Sequence, residues 1–415
     1  MEPGLTQRHQ ALDGIRGLAI LWVFAFHANA LLLGAPPEGG AGWGAALAEK
    51  GLLGVQLFFV LSGFLLALPW MRSAMTSGAY PGIGGFLARR ARRILPTYWL
   101  HLAILFGLLL PLLSGGYAIL ATDIGQTNLW LHLSLAHFLH PGSSSSLGLN
   151  MALWSLSIEA QFYLLLPLLA PLFVRERVWI ALPLAVALAL LWKTLAPALL
   201  MDWIYLNIAP THLVFFDPLT GRAGPFPPAM MHFFIERQLP GELIAFALGM
   251  AAANLYARLP VDTPSGWRLR ALDLAALLVL MLTPLVLIQI PFGEIIAGTA
   301  WRLVGMPLFL LGCTLLVLAA AVRAPWVAWL CSRWPLMPIG LVSYSLFLWH
   351  EPILRLVAAG WLVPSVCAGP LCRIALALGL SLLVATLSYR WVERPPLGRG
   401  STTGLNRPAG AASPR

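Results

Sequence analysis

"RGLAILWVFAFHA", residues Arg16 to Ala28, sets an arginine and a histidine at the two ends of an apolar run. Read as an α-helix, the eleven steps from Arg16 to His27 turn through about 1100°, three full turns and about 20° more. The two side chains therefore share one helix face, about 16 Å apart along the axis. That is roughly half of a hydrocarbon layer about 30 Å thick. With Arg16 at the membrane surface, His27 reaches the midplane, where an ionisable group is costly and is by default a candidate for function.

The rest of the chain has the same character. Of its 415 residues, 59% are apolar and only 10% are charged, and the mean hydropathy is +0.81. A soluble domain carries about a quarter charged residues, so the composition is that of a multi-spanning membrane protein. The net charge of +10 does not call for nucleic acid. The basic residues are almost all arginine and lie in short segments between apolar runs, which is the pattern that orients membrane proteins. Runs of about 20 apolar residues predict ten spans near 14–33, 50–70, 94–113, 151–173, 178–199, 240–258, 271–290, 300–321, 336–357 and 372–392.

The expected fold is thus an all-α polytopic membrane protein with about 10 transmembrane helices. Arg8, Arg72, Arg175, Arg177, Arg258, Arg268, Arg270, Arg323, Arg333 and the cluster Arg89, Arg90, Arg92 and Arg93 all fall on one side. Little beyond Lys50, Arg222, Arg237 and Arg373 falls on the other, which places both termini in the cytoplasm. The polar start, MEPGLTQRHQALDGIR, carries no evident cleavage site, and the first span is expected to act as its own insertion signal. Two long outer loops, 114–150 and 200–239, are rich in Ser and Pro and should hold short re-entrant pieces. Residues 396–415 are Gly-, Pro- and Ser-rich and are expected to form a disordered cytoplasmic tail.

Several groups besides Arg16 and His27 stand out. Glu159 sits inside the apolar run LWSLSIEAQFYLLLPLL and needs a cation, a histidine or water. Ser62 and Gly63 lie in the middle of GVQLFFVLSGFLLAL, where small residues let helices approach closely. FLARRARRILPTYWLHL gathers Arg89, Arg90, Arg92 and Arg93 before the third span. Such a cluster holds its loop inside and also suits a polyanion, because guanidinium binds phosphate in a bidentate fork. YSLFLWHEPI places His350 and Glu351 in or beside the ninth span. Position 354 is Leu, so no H-E-x-x-H zinc motif exists there, and His132, His137 and His140 have no carboxylate close in sequence. No metal site is expected. The four cysteines form no CxxC pattern; Cys367 and Cys372 flank an outer loop where an oxidising compartment would let them pair.

Taken in order, these motifs resemble the membrane acyltransferase family 3, which includes bacterial O-acetyltransferases of O-antigens and exopolysaccharides and the macrolide acyltransferases. Its R-x10-H is matched by Arg16 and His27, its FFxxSG by Phe58, Phe59, Ser62 and Gly63, and its RxxR by Arg90 and Arg93 or, in an overlapping register, by Arg89 and Arg92. WSLSIEAQFY and YSLFLWHEP resemble its later signatures, and the likeness runs over residues 10–395. Some members carry an extra extracytoplasmic hydrolase-like domain; none is expected here.

The resemblance implies transfer of an acyl group from a cytoplasmic acyl-CoA, acetyl-CoA foremost, to a hydroxyl of a sugar or glycoside. It implies a multi-pass protein of the bacterial inner membrane, with membrane lipids, donor and carbohydrate acceptor as partners and no permanently bound cofactor. Arg89, Arg90, Arg92, Arg93 and Ser62 would hold the donor, and Arg16, His27 and Glu159 would carry catalysis. A neutral imidazole would take the acceptor proton, with Glu159 orienting it or balancing the imidazolium; an acyl-histidine intermediate is the variant. The competing class is a transporter or lipid flippase, which intramembrane charges also suit. The absence of an internal repeat weighs against it. Oligomeric state, acceptor and acyl length are not written in the sequence.

Overall fold

The structure is a computed structural model that describes residues 3–34, 42–76, 80–114, 116–208, 213–217, 222–259, 266–367 and 369–394. The expected tail, 396–415, lies outside the described residues. Among those described, nine helical segments are long and apolar enough to cross a membrane: Gln10–Leu33, Trp43–Thr76, Ile83–Leu113, Met151–Leu172, Arg175–Asn207, Leu239–Arg258, Trp267–Leu287, Trp301–Ala321 and Pro370–Glu393. The all-α polytopic expectation holds, and nine of the ten sequence runs correspond to these segments.

In chain order the helices are α1 (Pro3–Ala28), α2 (Trp43–Glu49), α3 (Gly54–Thr76), α4 (Ile83–Ile104), α5 (Leu110–Ser114), α6 (Asp123–Leu133), α7 (Trp154–Leu169), α8 (Val178–Asn207), α9 (Pro228–Glu236), α10 (Leu239–Arg258), α11 (Trp267–Leu287), α12 (Phe292–Ala297), α13 (Met306–Ala321), α14 (Pro325–Cys331), α15 (Leu336–Leu341), α16 (Ser343–Ala358) and α17 (Pro370–Ser388). One hairpin, β1 (Val214–Asp217) with β2 (Arg222–Pro225), interrupts them, with Val214 opposite Pro225. The predicted ninth span is not one helix. It divides at Val342 into α15 and the 16-residue α16. Gly340 of α15 lies against the Asp13 carbonyl and Gly17 of α1, so α15 is pressed onto α1 while α16 continues through the protein interior. From Ser343 to Arg355, all but Tyr344 are buried, which is why this segment carries polar groups that a lipid-facing helix cannot.

The centre of the bundle is built on close backbone approaches. A Cβ at Gly63 of α3 would overlap the Phe246 carbonyl of α10, and one at Gly249 would overlap the Val60 carbonyl. This is the small-residue contact by which helices associate where no hydrophobic drive exists between them. Helices α11 and α17 bury few of their residues.

The expected outer loop 114–150 is more ordered than its composition suggests. It contains α6 and a run of 3₁₀ turns that is buried, including Ser143, Ser144, Ser145 and Ser146. Two of these hydroxyls satisfy the irregular backbone: Ser143 Oγ donates to the His137 carbonyl at 2.5 Å and Ser144 Oγ to the Pro141 carbonyl at 2.7 Å. Cys367 and Cys372 form a disulfide. The buried carboxylate of Glu242 is matched. Glu242 Oε1 lies 3.1 Å from Arg237 Nη1 and 3.5 Å from Lys193 Nζ, and its other oxygen accepts from Gln56 Nε2 at 2.8 Å.

Gly63→Leu should therefore lower stability by about 1–3 kcal/mol through overpacking, read as a lower thermal midpoint in detergent. Gly379→Ala, where the added carbon meets nothing within 4 Å, should leave the midpoint unchanged or raised. Equal midpoints for Gly63→Leu and wild type would show that the α3–α10 contact is loose.

Candidate active site

Two polar centres share helix α1. The first is a cavity of about 360 Å³ at the level of Arg16. Helix α1 contributes Asp13 and Arg16, α3 contributes Ser62, α4 contributes Arg90 and Arg93, α7 contributes Glu159 and Tyr163, and α16 contributes Tyr344. Arg90 and Arg93 stand three residues apart, one above the other on the face of α4 turned to the cavity. Arg89 and Arg92 lie on the neighbouring face, exposed and outside the cavity lining. The four-arginine cluster read from the sequence is thus divided, two in the cavity and two at the surface.

Three guanidiniums and two carboxylates line this space, so it carries an excess of one positive charge. Arg16 Nη1 donates to Asp13 Oδ1 at 2.5 Å, and Ser62 Oγ donates to Glu159 Oε1 at 2.7 Å. The buried Nε of Arg90 has no hydrogen-bond partner. A cavity lined by three guanidiniums and of net positive charge suits an anionic ligand with oxygen acceptors.

The second centre lies three turns along α1. His27 Nδ1 sits 3.0 Å from the Val23 carbonyl and 3.2 Å from His350 Nε2, and His27 Nε2 sits 3.6 Å from Glu351 Oε2. Glu351 is fixed from two other sides. Its Oε1 accepts from Arg355 Nη2 at 2.6 Å, and its Oε2 accepts from the Ala152 backbone N–H at 2.8 Å. The side chain of His27 keeps 15% of its surface accessible against 1% for Glu351, and His350 is fully buried. His27 is therefore the member of this group that a substrate can reach.

The expected pairing of Glu159 with His27 is corrected here. Glu159 belongs to the Arg16 cavity and bonds Ser62, while the carboxylate beside His27 is Glu351. Periodicity puts Arg16 and His27 on one face but says nothing of which distant helix supplies a partner. Glu351 was visible in the sequence as an ionisable residue in an apolar run. Asp13, Tyr163 and Tyr344 carried no such signal, because each is an ordinary neighbour of a helix end or an aromatic in a span. Among the described residues no group of three or more His, Cys, Asp or Glu is placed to hold a metal ion.

A family model described as an acyltransferase domain matches residues 9–390. The chain belongs to this acyltransferase 3 family. It is 25% identical over 414 residues to the peptidoglycan O-acetyltransferase OatA of Listeria monocytogenes, covering 93% of this chain and 55% of that protein. It is 27% identical over 416 residues to a Bacillus subtilis protein named "Putative peptidoglycan O-acetyltransferase YrhL", covering 94% and 55%. It is 26% identical over 395 residues to a Staphylococcus aureus (strain COL) protein named "Putative O-acetyltransferase", covering 92% and 56%. The chain spans about half the length of these relatives. No solved structure matches it.

A third group of histidines, in the buried loop outside the spans, has a structural part. His132 and His137 stack with ring centroids 4.2 Å apart. His132 Nε2 pairs with Ser146 Oγ at 2.8 Å, and His137 Nε2 with the Leu153 carbonyl at 3.0 Å. Burial holds both imidazoles neutral, with the His132 pKa well below its ordinary value and that of His137 pushed down to about 4. An unfolded histidine titrates near 6.5, so between these values the unfolded chain binds protons that the fold does not. The stability this neutral pair contributes is complete above about pH 6.5 and is lost as pH falls toward 4. The thermal midpoint in detergent should fall across that window, and less steeply in His137→Gln, whose side chain does not titrate. Equal slopes in the two proteins would contradict the assignment.

Proposed function

We propose that the chain is a membrane O-acyltransferase that takes an acetyl group from acetyl-CoA on the cytoplasmic side and delivers it to a hydroxyl of a cell-envelope glycan, peptidoglycan among them. The observation that carries this reading is the position of two centres on one face of α1: an arginine-lined cavity at Arg16 and an accessible imidazole at His27. Eleven residues of helix separate them by about 16 Å, a distance comparable to an extended pantetheine arm. Coenzyme A would place its phosphates against Arg16, Arg90 and Arg93 and its thioester near His27.

The step balances without a further reactant. His27 Nε2 takes the proton of the acceptor hydroxyl as the oxygen attacks the thioester carbonyl. The carbon–sulfur bond then breaks, and the thiolate recovers the proton from the imidazolium. Glu351, held by Arg355 and the Ala152 N–H, balances the transient positive charge 3.6 Å away. The arginines turn the cavity toward the cytoplasm, and both termini lie on that side when α16 is counted as a tenth crossing beside the nine long helices. The Cys367–Cys372 disulfide fits the opposite, oxidising side. The membrane in this reading is the bacterial inner membrane, and the names of the relatives from Listeria and Bacillus support a glycan acceptor.

Purified protein with labelled acetyl-CoA and soluble glycan fragments tests this reading. His27→Ala should lower acetyl transfer by about 10²–10⁴-fold, as removal of a general base does. Arg90→Ala and Arg93→Ala should raise the donor KM by about tenfold or more, the equivalent of one lost charge-assisted hydrogen bond. Arg89→Ala and Arg92→Ala, which do not line the cavity, should change it by less than about twofold. Acetyl transfer unaffected by His27→Ala, or glycan movement without release of free coenzyme A, would overturn the assignment.

A further inference from the structure

We infer that His350 is a positioning residue that selects the tautomer of His27, and so decides which nitrogen of His27 is free to act as base. The inference deepens the acyltransferase reading above and rests on His27 being the base of that reaction.

Among contacts within hydrogen-bond distance, one arrangement of protons is consistent; Glu351 Oε2, 3.6 Å from His27 Nε2, lies beyond that distance. His350 Nδ1 faces two backbone carbonyls, Phe347 at 2.8 Å and Leu346 at 3.1 Å. A carbonyl oxygen only accepts, so Nδ1 of His350 carries the hydrogen. A neutral imidazole holds one N–H, which leaves His350 Nε2 as a bare acceptor. That bare nitrogen lies 3.2 Å from His27 Nδ1. His27 Nδ1 also lies 3.0 Å from the Val23 carbonyl. Two acceptors converge on this atom, so it too carries the hydrogen. The opposite assignment would set a bare His27 Nδ1 against a carbonyl and would place a bare His350 Nδ1 against two.

The consequence is directional. With its hydrogen on Nδ1, His27 presents a free lone pair on Nε2, the nitrogen that faces Glu351 at 3.6 Å. A proton captured there arrives beside a carboxylate already anchored by Arg355 and the Ala152 N–H. In the other tautomer the lone pair would sit on Nδ1, pointed at a carbonyl and a buried ring, where no acceptor hydroxyl can enter. Orientation and tautomer of a catalytic histidine are commonly set by the group on its second nitrogen, and the wrong tautomer in a serine protease costs about 10⁴-fold in kcat. Here the group that performs this task is a second histidine, itself locked by the α16 backbone. It is one residue from Glu351, so a single turn of α16 supplies both the tautomer lock and the counter-charge.

The test is ¹⁵N NMR of histidine-labelled protein in detergent without substrate, with the His27 signal identified by its loss in His27→Gln. Neutral wild-type His27 should be protonated on Nδ1. In His350→Leu, which removes the acceptor, protonation on Nε2 should become substantial. In His350→Gln, whose amide oxygen can accept from His27, the wild-type tautomer should persist. In the transfer assay, His350→Leu should lower kcat by about 10²-fold or more with the donor KM unchanged, and His350→Gln should recover a large part of the loss. A wild-type His27 protonated on Nε2, or a tautomer unchanged in His350→Leu, overturns the inference. Equal kcat losses in the two variants with the tautomer unchanged would assign His350 to packing alone. Should His350→Leu not fold, the wild-type and His350→Gln spectra decide the matter. If the wild-type protein transfers no acetyl group, the acyltransferase reading fails while the NMR result still judges the tautomer.

Discussion

Burying a carboxylate among apolar helices costs several kcal/mol unless every lone pair and the charge itself are answered, and the organisation around Glu351 follows from that constraint. Arg355, one turn along the same helix, answers the charge through two nitrogens at 2.6 and 3.1 Å. The Ala152 N–H, at the start of the turn leading into α7, answers the other oxygen. Only then does His27 approach, from α1, with His350 behind it. Three parts of the chain that are distant in sequence, α1, the turn before α7 and α16, are tied together by one ionised group. Removing the carboxylate would leave Arg355 as an uncompensated buried charge, so this centre stabilises the bundle as a set or not at all.

The same constraint separates the two centres on α1. At Arg16 the polar groups open into a cavity whose three guanidiniums outnumber its two carboxylates, a charge balance that suits an anion. At His27 the groups are closed on one another, with accessible surface remaining on one imidazole. Between them, α1 is held by close approaches: Gly17 against the Leu336 carbonyl, Gly54 against the Ala19 carbonyl and Gly51 against the Trp22 carbonyl. A helix packed through its backbone on several sides is a stiff ruler, and the spacing of the two centres is fixed by it.

Much of this was legible in the sequence. The apolar runs gave nine of the spans because a bilayer admits few alternatives. The eleven-residue spacing gave the shared face of Arg16 and His27 because helical periodicity is local. Partners across helices were not legible. Glu159 and Glu351 are both carboxylates in apolar runs, and no local pattern assigns one to Ser62 and the other to His27. The division of Arg89 and Arg92 from Arg90 and Arg93 depends on how α4 is rotated in the bundle. The break at Val342 follows from how closely α15 lies on α1 at Gly340, a contact between segments more than three hundred residues apart. Ser143 and Ser144 read as a loop by composition, and their hydroxyls are satisfied by carbonyls that only the folded turn brings near.

In the proposed reaction α1 couples donor and base through one helical face. Inserting a single Ala between Ile20 and Leu21 keeps α1 apolar and helical but turns His27 by about 100° relative to Arg16 and lifts it about 1.5 Å. Acetyl-CoA binding and acetyl transfer are then measured together on the inserted protein, after its folding and membrane orientation are verified. Donor binding at the Arg16 cavity should survive while transfer falls as far as in His27→Ala. Full transfer by a correctly folded and oriented insertion variant would contradict it, and Arg16 would then be an interface anchor with no share in the reaction.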